Sequence, residues 1–390
     1  MLTDRQKQIL TAVNNNNGNH AAAARDLGIS RQGVDKQMAL IEVKRNKAGK
    51  FEGNDVSKLL GTGYSVKKIS ALLDKDGEID RQWVQINPDA ARVEEALREA
   101  FEALSESLPP AAPVKMPTAN TFDLLSTYVI TDYHLGMLAW GEETGEDWDT
   151  DKAEYLLEKW FESAIKMAPD SHTAIFAQMG DFLHWDGLDS VTPTNRHVLD
   201  ADTRFQKLVR VAMRVIRKVI KMLLEKHSHV HIIMAEGNHD LASSIWLREM
   251  FAQLYREEPR VSVDINPDPY YGYEWGLTSL FFHHGHKKRM NSIDEVFAAK
   301  FREMFGRTRF SYAHMGHLHH QVVQETSLMV LEQHRTLASP DAHASRGGWM
   351  SGKDAKVITY HREYGEVSRI VLSPEFALSG KEFEWILKSK

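Results

Sequence analysis

From Phe122 onward, short apolar runs alternate with long amphipathic stretches, and this limits the fold more than any other feature of the chain. LLSTYVI, TAIFAQM, HVHIIMA and LTSLFFH read as strands. Between and after them, Asp151–Met167, Ala201–His227, Ser243–Arg256 and Ser292–Phe305 have helical spacing. From Tyr312 the pattern turns mostly strand-like, through QVVQETSLMVLEQHRTL, KVITYH and VSRIVL. Strands that alternate with helices, then strands alone, predict a layered α/β domain. In such domains chemistry gathers on loops just past the carboxyl ends of the strands.

The first third of the chain is organised differently. Residues 1–50 carry nine Lys/Arg against four Asp/Glu, a local balance of +5 in a chain whose net charge is −6. Leu2–Val13 has helical spacing and Asn14–Asn19 is a break. HAAAARDL is a short helix ended by Gly28, and Ser30 can cap a following helix to about Arg45. Two short helices joined by Gly-Ile-Ser resemble a helix-turn-helix, with Arg31, Gln32 and Lys36 placed to meet DNA. In 51–87, KDGE between two strand-like runs signals a hairpin, a wing or small β appendage. Residues 88–121 read as an amphipathic helix followed by LPPAAPVKMPTAN, with four prolines in 13 residues, a stiff linker. The layered α/β domain is expected over 122–375, with a tail at 376–390.

The loops after the strands have an unusual composition. They carry Asp132-Tyr133-His134, then Gly180-Asp181, Gly237-Asn238-His239-Asp240, His284-Gly285-His286 and Gly316-His317-Leu318-His319. Carboxylates and neutral imidazoles on one sheet edge are poorly satisfied without a cation. Mixed nitrogen and oxygen ligands without sulfur suit manganese, iron, zinc or nickel, while magnesium prefers oxygen. The donors outnumber the needs of one ion, and two ions sharing a carboxylate would use them.

The order D-x-H, G-D, G-N-H-D, H-G, G-H-x-H resembles the calcineurin-like metallophosphoesterases, over about residues 125–320. The resemblance implies a four-layer α/β/β/α sandwich behind a small helical N-terminal domain. It implies two divalent metal ions, manganese first. Asp132, His134 and His319 would hold one, Asn238, His284 and His317 the other, and Asp181 would bridge them. His239 would protonate or stabilise the leaving oxygen, with Asp240 orienting it by a hydrogen bond. A metal-bridging hydroxide would attack phosphorus in line, with no covalent intermediate. His184, in GDFLH, resembles the matching stretch of the double-strand-break nuclease branch. His184, His286, Lys287, Lys288 and Arg289 are candidates for substrate contact or for support of the ligands. His227, His229 and His231 read as a solvated face.

The motifs fix the chemistry better than the substrate. The basic N-terminus and GDFLH favour DNA, and the layout resembles phage or prophage-encoded members with an N-terminal helix-turn-helix. Against this, the insert AWGEETGEDWDTD is acidic and would repel a long polyanion, which favours a small cyclic nucleotide or nucleotide substrate. A third possibility is a DNA-binding regulator with an inactive phosphoesterase scaffold. No apolar run reaches the ~20 residues of a membrane span. The absence of cysteine suits a cytoplasmic protein, in the bacterial host if phage-encoded. A homodimer is an open expectation.

Overall fold

A computed structural model describes residues 3–38 except 17 and 32, the strands β1 (Tyr64–Leu73) and β2 (Ile79–Pro88), and residues 111–380 except 112, 118, 119, 194, 195 and 349. The chain divides into two compact units, Met1–Gly61 and Thr62–Lys390. Gln32, the expected helix over 88–108 beyond Pro88, the KDGE turn and the end of the tail lie outside the described residues.

In the first unit, α1 (Asp4–Asn15) opens with a capping box, in which Thr3 and Gln6 satisfy each other's backbone N–H. Asn19 caps α2 (His20–Leu27) through the amides of Ala21 and Ala22. Gly28 ends it in the left-handed conformation, φ +64°, that glycine adopts without strain. Ser30 Oγ accepts from Gly33 N at 3.1 Å, at the start of a helical stretch over 33–38. Ile9, Val13, Ala23, Ala24 and Val34 form the unit's small core. Arg31 and Lys36 are exposed.

The second unit contains the β1–β2 hairpin, an antiparallel pair with a register shift near each end, and two larger sheets. The six-stranded sheet has the order β13-β12-β3-β4-β5-β6. Here β3 is Thr121–Ile130, β4 Ser171–Gln178, β5 His229–Met234 and β6 Val261–Val263, all parallel. β12 (Ala355–His361) and β13 (Gly365–Leu372) add an antiparallel edge. The five-stranded sheet has the order β10-β11-β9-β8-β7. Its central strands β8 (Thr278–His283), β9 (Phe310–Met315) and β11 (Val330–Gln333) are parallel. Its edges β7 (Tyr271–Trp275) and β10 (Val322–Glu325) are antiparallel.

Side chains alternate between layers with the strand period of two. From β4, Ala174 and Phe176 join a core with α3 (Thr150–Met167), α4 (Phe205–Lys226) and α5 (Leu241–Leu254). Ile175 and Ala177 point the other way, to Leu280 and Phe282 of β8. Phe281 faces outward again, against α6 (Ile293–Lys300) and α7 (Arg302–Arg307). The result is helices, sheet, sheet, helices, the four-layer sandwich expected. The helix expected over 292–305 is broken at Phe301, whose φ of −107° and ψ of 38° leave the helical region.

Two expectations are corrected. The proline-rich stretch, expected as a stiff linker, is fastened to the domain at Ala111 and Val114. Arg260 donates to Val114 O at 2.9 Å, as well as to the carbonyls of Leu224, His227 and Ser228, and Ala111 and Val114 pack on the helix-side core. His227, His229 and His231 are not a solvated face, because β5 lies between β4 and β6 with layers on both sides. His227 is fully buried and hydrogen-bonded to Tyr128 Oη at 2.9 Å. His231 is nearly buried beside Tyr273. His229 is half-buried on Ser262 Oγ.

Burial holds His227 and His314 down to about 4 each. The folded state therefore keeps both neutral where the unfolded chain would take a proton. Their contribution is complete above the unfolded value near 6.5 and fades as pH falls toward 4, by about 1.4 kcal/mol per pH unit for each histidine. Urea unfolding of His227→Gln should show a shallower loss of stability between pH 6.5 and 4.5 than the wild type. Equal slopes would mean that His227 carries its proton in the folded state.

Candidate metal centre

All five motifs meet at one edge, where the carboxyl ends of β3, β4 and β5 stand beside those of β8 and β9. Thr131–His134 follows β3, Gly180–His184 follows β4 and Gly237–Asp240 follows β5. Asp132, His134, Asp181, His317 and His319 all have positive φ, between 48° and 77°. Side chains rarely accept this backbone, and where they do the surroundings enforce it. Here Asp132 N donates to Gly180 O and His134 N to Asp181 O, at 3.0 Å each, so the first two loops lock each other.

The glycine of GNHD is needed for space rather than for a turn. A Cβ on Gly237 would lie 1.9 Å from Asp181 Oδ1 and 2.2 Å from Asp181 N. Gly180 combines both demands, with φ +100° and a Cβ position 2.7 Å from the His284 ring.

The side chains form two groups. The ligating atoms of Asp132, His134 and His319 lie within 4.8 Å of one another, and so do those of Asp181, His284 and His317. Asn238 joins the second group, its Oδ1 3.3 Å from His284 Nε2. The fit to a cation can be tested on proton positions. His284 Nδ1 donates to Met179 O at 3.0 Å, so in the neutral ring Nε2 faces inward as an acceptor. It stands 3.1 Å from Asp181 Oδ2. In the first group Asp132 Oδ1 is buried without a hydrogen bond, though His319 Nε2 is 3.1 Å away. His134 Nε2 is 3.4 Å from His319 Nε2. Acceptors turned on acceptors in a buried place require positive charge.

The titrations say the same. Burial alone would lower His284, but Asp181 and Asp132 outweigh it and push the imidazole up to about 9. Asp132 raises His319 in the same way, against its burial. Both carboxylates, despite burial, are held below their usual range, Asp132 by His319 and His284, Asp181 by His284 and His239. The residues present therefore fit divalent cations.

Two other groups pass the same distance test among the described residues, and chemistry separates them. His314, Glu332 and His334 lie in the inner layer. There Lys356 Nζ is 2.5 Å and Arg369 Nη1 3.1 Å from Glu332 Oε1, so the chain supplies its own cations. His134, His184 and His239 hold no carboxylate and share His134 with the first group.

His239 and Asp240 are both at the site, but not joined as expected. His239 Nδ1 faces the backbone oxygen of His184 at 2.8 Å. The Asp240 carboxylate instead accepts four backbone N–H groups, from Asp181, Phe182, Leu183 and Gly237. It ties the second loop to the third and cannot also turn the imidazole. Burial, with Asp181 and Asp186 close by, pushes it up to about 8 against the pull of these amides.

His184 is buried and 3.3 Å from His134, Nδ1 to Nδ1. His286 is nearly buried, with neither ring nitrogen hydrogen-bonded, and burial beside His284 and His283 holds it down to about 3. Lys287 reaches Glu236, the residue before Gly237, at 3.3 Å. Lys288 is half-buried and Arg289 exposed on the same segment. Of the two tryptophans near the motifs, Trp185 is buried and Trp140 exposed.

Sequence reasoning missed several supports. Thr131 Oγ1 donates to Asp132 Oδ2 at 2.5 Å, and Thr336 Oγ1 to Asp132 O at 2.6 Å. Asp186 accepts from Ser243 N at 2.8 Å, at the start of the helix after GNHD. Only Thr131, next to a motif aspartate, carried any local signal.

Gly237→Ala should lose metal binding while keeping its circular dichroism, because the new methyl must displace Asp181. A variant that binds Mn²⁺ as the wild type does would show that Asp181 is not needed where it stands.

No family model and no curated protein matches the chain. Solved structures do. A predicted phosphoesterase from Streptococcus pneumoniae TIGR4 aligns over 65% of this chain and 99% of its own, at 10% identity and TM-score 0.29. An archaeal phosphodiesterase aligns over 63% and 99%, at 14% and 0.33. Zinc-complexed Vps29 from Entamoeba histolytica aligns over 64% and 99%, at 10% and 0.26. At these identities and scores the likeness adds nothing to the geometry of the loops. On its own layers and loops, the chain is a four-layer α/β/β/α sandwich that brings its five loop motifs, in chain order, to one edge of the two sheets.

Proposed function

We propose that the chain is a metal-dependent phosphoesterase that cleaves phosphodiester bonds, with DNA as its substrate. The observation that supports it best is the pair of buried ligand groups, one on Asp132 and one on Asp181, each faced by histidine ring nitrogens and by no lysine or arginine among the described residues. Asp132, His134 and His319 would hold one divalent ion and Asn238, His284 and His317 the other, with Asp181 between them. Ions so held supply an activated water and neutralise charge on the phosphoryl oxygens, and manganese suits this donor set.

The chain's own residues do the rest. With Nδ1 held by His184 O, His239 presents Nε2 to the leaving oxygen and can protonate it there. Asp181 Oδ1 accepts the His239 backbone N–H at 2.7 Å, which fixes the distance between the acid and the shared carboxylate. Asp240 holds both loops rigid.

The local charge of +5 in residues 1–50, with Arg31 and Lys36 exposed, favours DNA. The acidic insert opposes it less than its composition suggests. Glu143 is paired with Arg346 at 2.6 Å and Glu146 with Lys353. The second reading, a small-molecule phosphodiesterase, keeps its support in Glu142 and Asp147, both exposed or nearly so.

Four outcomes are expected. Asp181→Asn should abolish turnover and weaken both metal sites. His239→Gln should keep metal binding and slow turnover roughly 100-fold or more. Equal metal loss in the two variants, by calorimetry with Mn²⁺, would remove His239 from the acid's place. With Mn²⁺, the protein should cleave bis-p-nitrophenyl phosphate and labelled linear DNA. Arg31→Ala with Lys36→Ala should weaken DNA cleavage and spare the small diester. Cleavage of the diester or a 2′,3′-cyclic nucleotide with DNA untouched would decide for the small-molecule reading.

A further inference from the structure

The proposed chemistry leaves the His184 side chain without a task, although it is buried at the site. Its side chain and its backbone each hold a different histidine. Its Nδ1 meets His134 Nδ1 at 3.3 Å, with the two rings nearly perpendicular at 87°. Its carbonyl oxygen meets His239 Nδ1 at 2.8 Å.

Proton counting gives the direction of the first contact. His134 Nε2 points into the acceptor group of Asp132 and His319. For Nε2 to offer a lone pair there, the proton of a neutral His134 must sit on Nδ1. The atom facing that Nδ1 is His184 Nδ1, which must then be the acceptor and carry its own proton on Nε2. Ligating histidines commonly pass their second N–H to a carboxylate or carbonyl, which fixes the ring and makes the ligand nitrogen more basic. Among the described residues no carboxylate or carbonyl does this for His134.

We propose that His184 is a positioning residue. Its side chain accepts the His134 Nδ1 proton and so fixes His134 as a ligand, while its backbone oxygen fixes His239 as the acid. The inference rests on the metal-centre reading of the same site. It differs from a role for His184 on the phosphate, because the contact it is argued from is that of Nδ1 with His134. One residue would thus set the proton position on both a metal ligand and the acid, the first through a replaceable side chain, the second through a backbone atom that substitution leaves in place.

The test uses the full chain, Mn²⁺ titration by calorimetry, and thermal unfolding to check folding. In His184→Leu the acceptor is gone but the volume is largely filled. Affinity at one of the two Mn²⁺ sites should drop by roughly 10- to 100-fold, with the other unchanged. In His184→Asn the amide oxygen takes the place of Nδ1, and that affinity should largely return. His239-dependent proton donation, read as the activity ratio between a good and a poor leaving group at saturating Mn²⁺, should be unchanged in both variants. If both variants bind Mn²⁺ like the wild type while turnover falls, His184 acts on substrate and the proposal is wrong. If His184→Asn is as weak as His184→Leu, the residue only packs, and the acceptor role is lost. If the wild type shows no two-site binding at all, the metal-centre reading fails, and the positioning role with it.

Discussion

Two aspartates on neighbouring parallel strands set the terms for the whole site. Asp132 and Asp181 follow β3 and β4 and are both buried. Two carboxylates side by side in a low dielectric are costly, and each must be offset by something positive. The surroundings are consistent with this demand. Histidines from two other loops turn ring nitrogens toward them, and backbone N–H groups of His239 and His317 donate to them at 2.7 and 2.8 Å. The positive φ at five motif residues is the conformational cost of bringing these groups so close. Asp240 offsets part of it by gathering four amides from two loops into one rigid corner.

The inner layer solves the same electrostatic problem in another way. Glu332 is as buried as the site aspartates, but it faces Lys356 and Arg369 from the opposite sheet. These cations are covalently part of the chain, so the charge is balanced permanently. At the sheet edge no lysine or arginine reaches Asp132 or Asp181 within ion-pair distance among the described residues; only histidines do. Histidine can give its lone pair to an ion, and lysine cannot when protonated. The difference between a structural ion pair and a metal centre is therefore the identity of the partner, since burial is the same in both.

Much of this was legible in the sequence because it is local. Strands show their period of two, and the motif residues sit within a few positions of a strand end. What stayed hidden depends on groups far apart along the chain. Nothing near His227 announces that Tyr128, about a hundred positions away, will bury it. Asp240 was expected to serve its neighbour His239, yet its partners lie mostly on the second loop, 57 to 59 residues earlier. The close fit of Gly237 against Asp181 is a distance between two loops, which no local pattern announces. Arg260 fastening Val114 spans 146 positions and turns the end of a proline-rich stretch into part of the domain.

The acidic insert shows why a segment's composition is a poor guide to its field. By count, residues 139–151 repel a polyanion. In three dimensions a helical turn at Gly141–Thr144 meets another at Ala342–Arg346, and Ser345 Oγ donates to Glu143 O at 2.7 Å. The pairs Glu143–Arg346 and Glu146–Lys353 then remove two of the insert's charges from what an approaching ligand senses. Exposed pairs of this kind add little to stability, about 0–1 kcal/mol each. Their effect on a charged ligand is larger in proportion, because steering depends on the summed field and is screened only beyond about 8–10 Å at moderate salt. Substrate choice should therefore follow the paired charges of the two segments taken together, and the later one, 342–353, contributes no acidic residue and two cations to that sum.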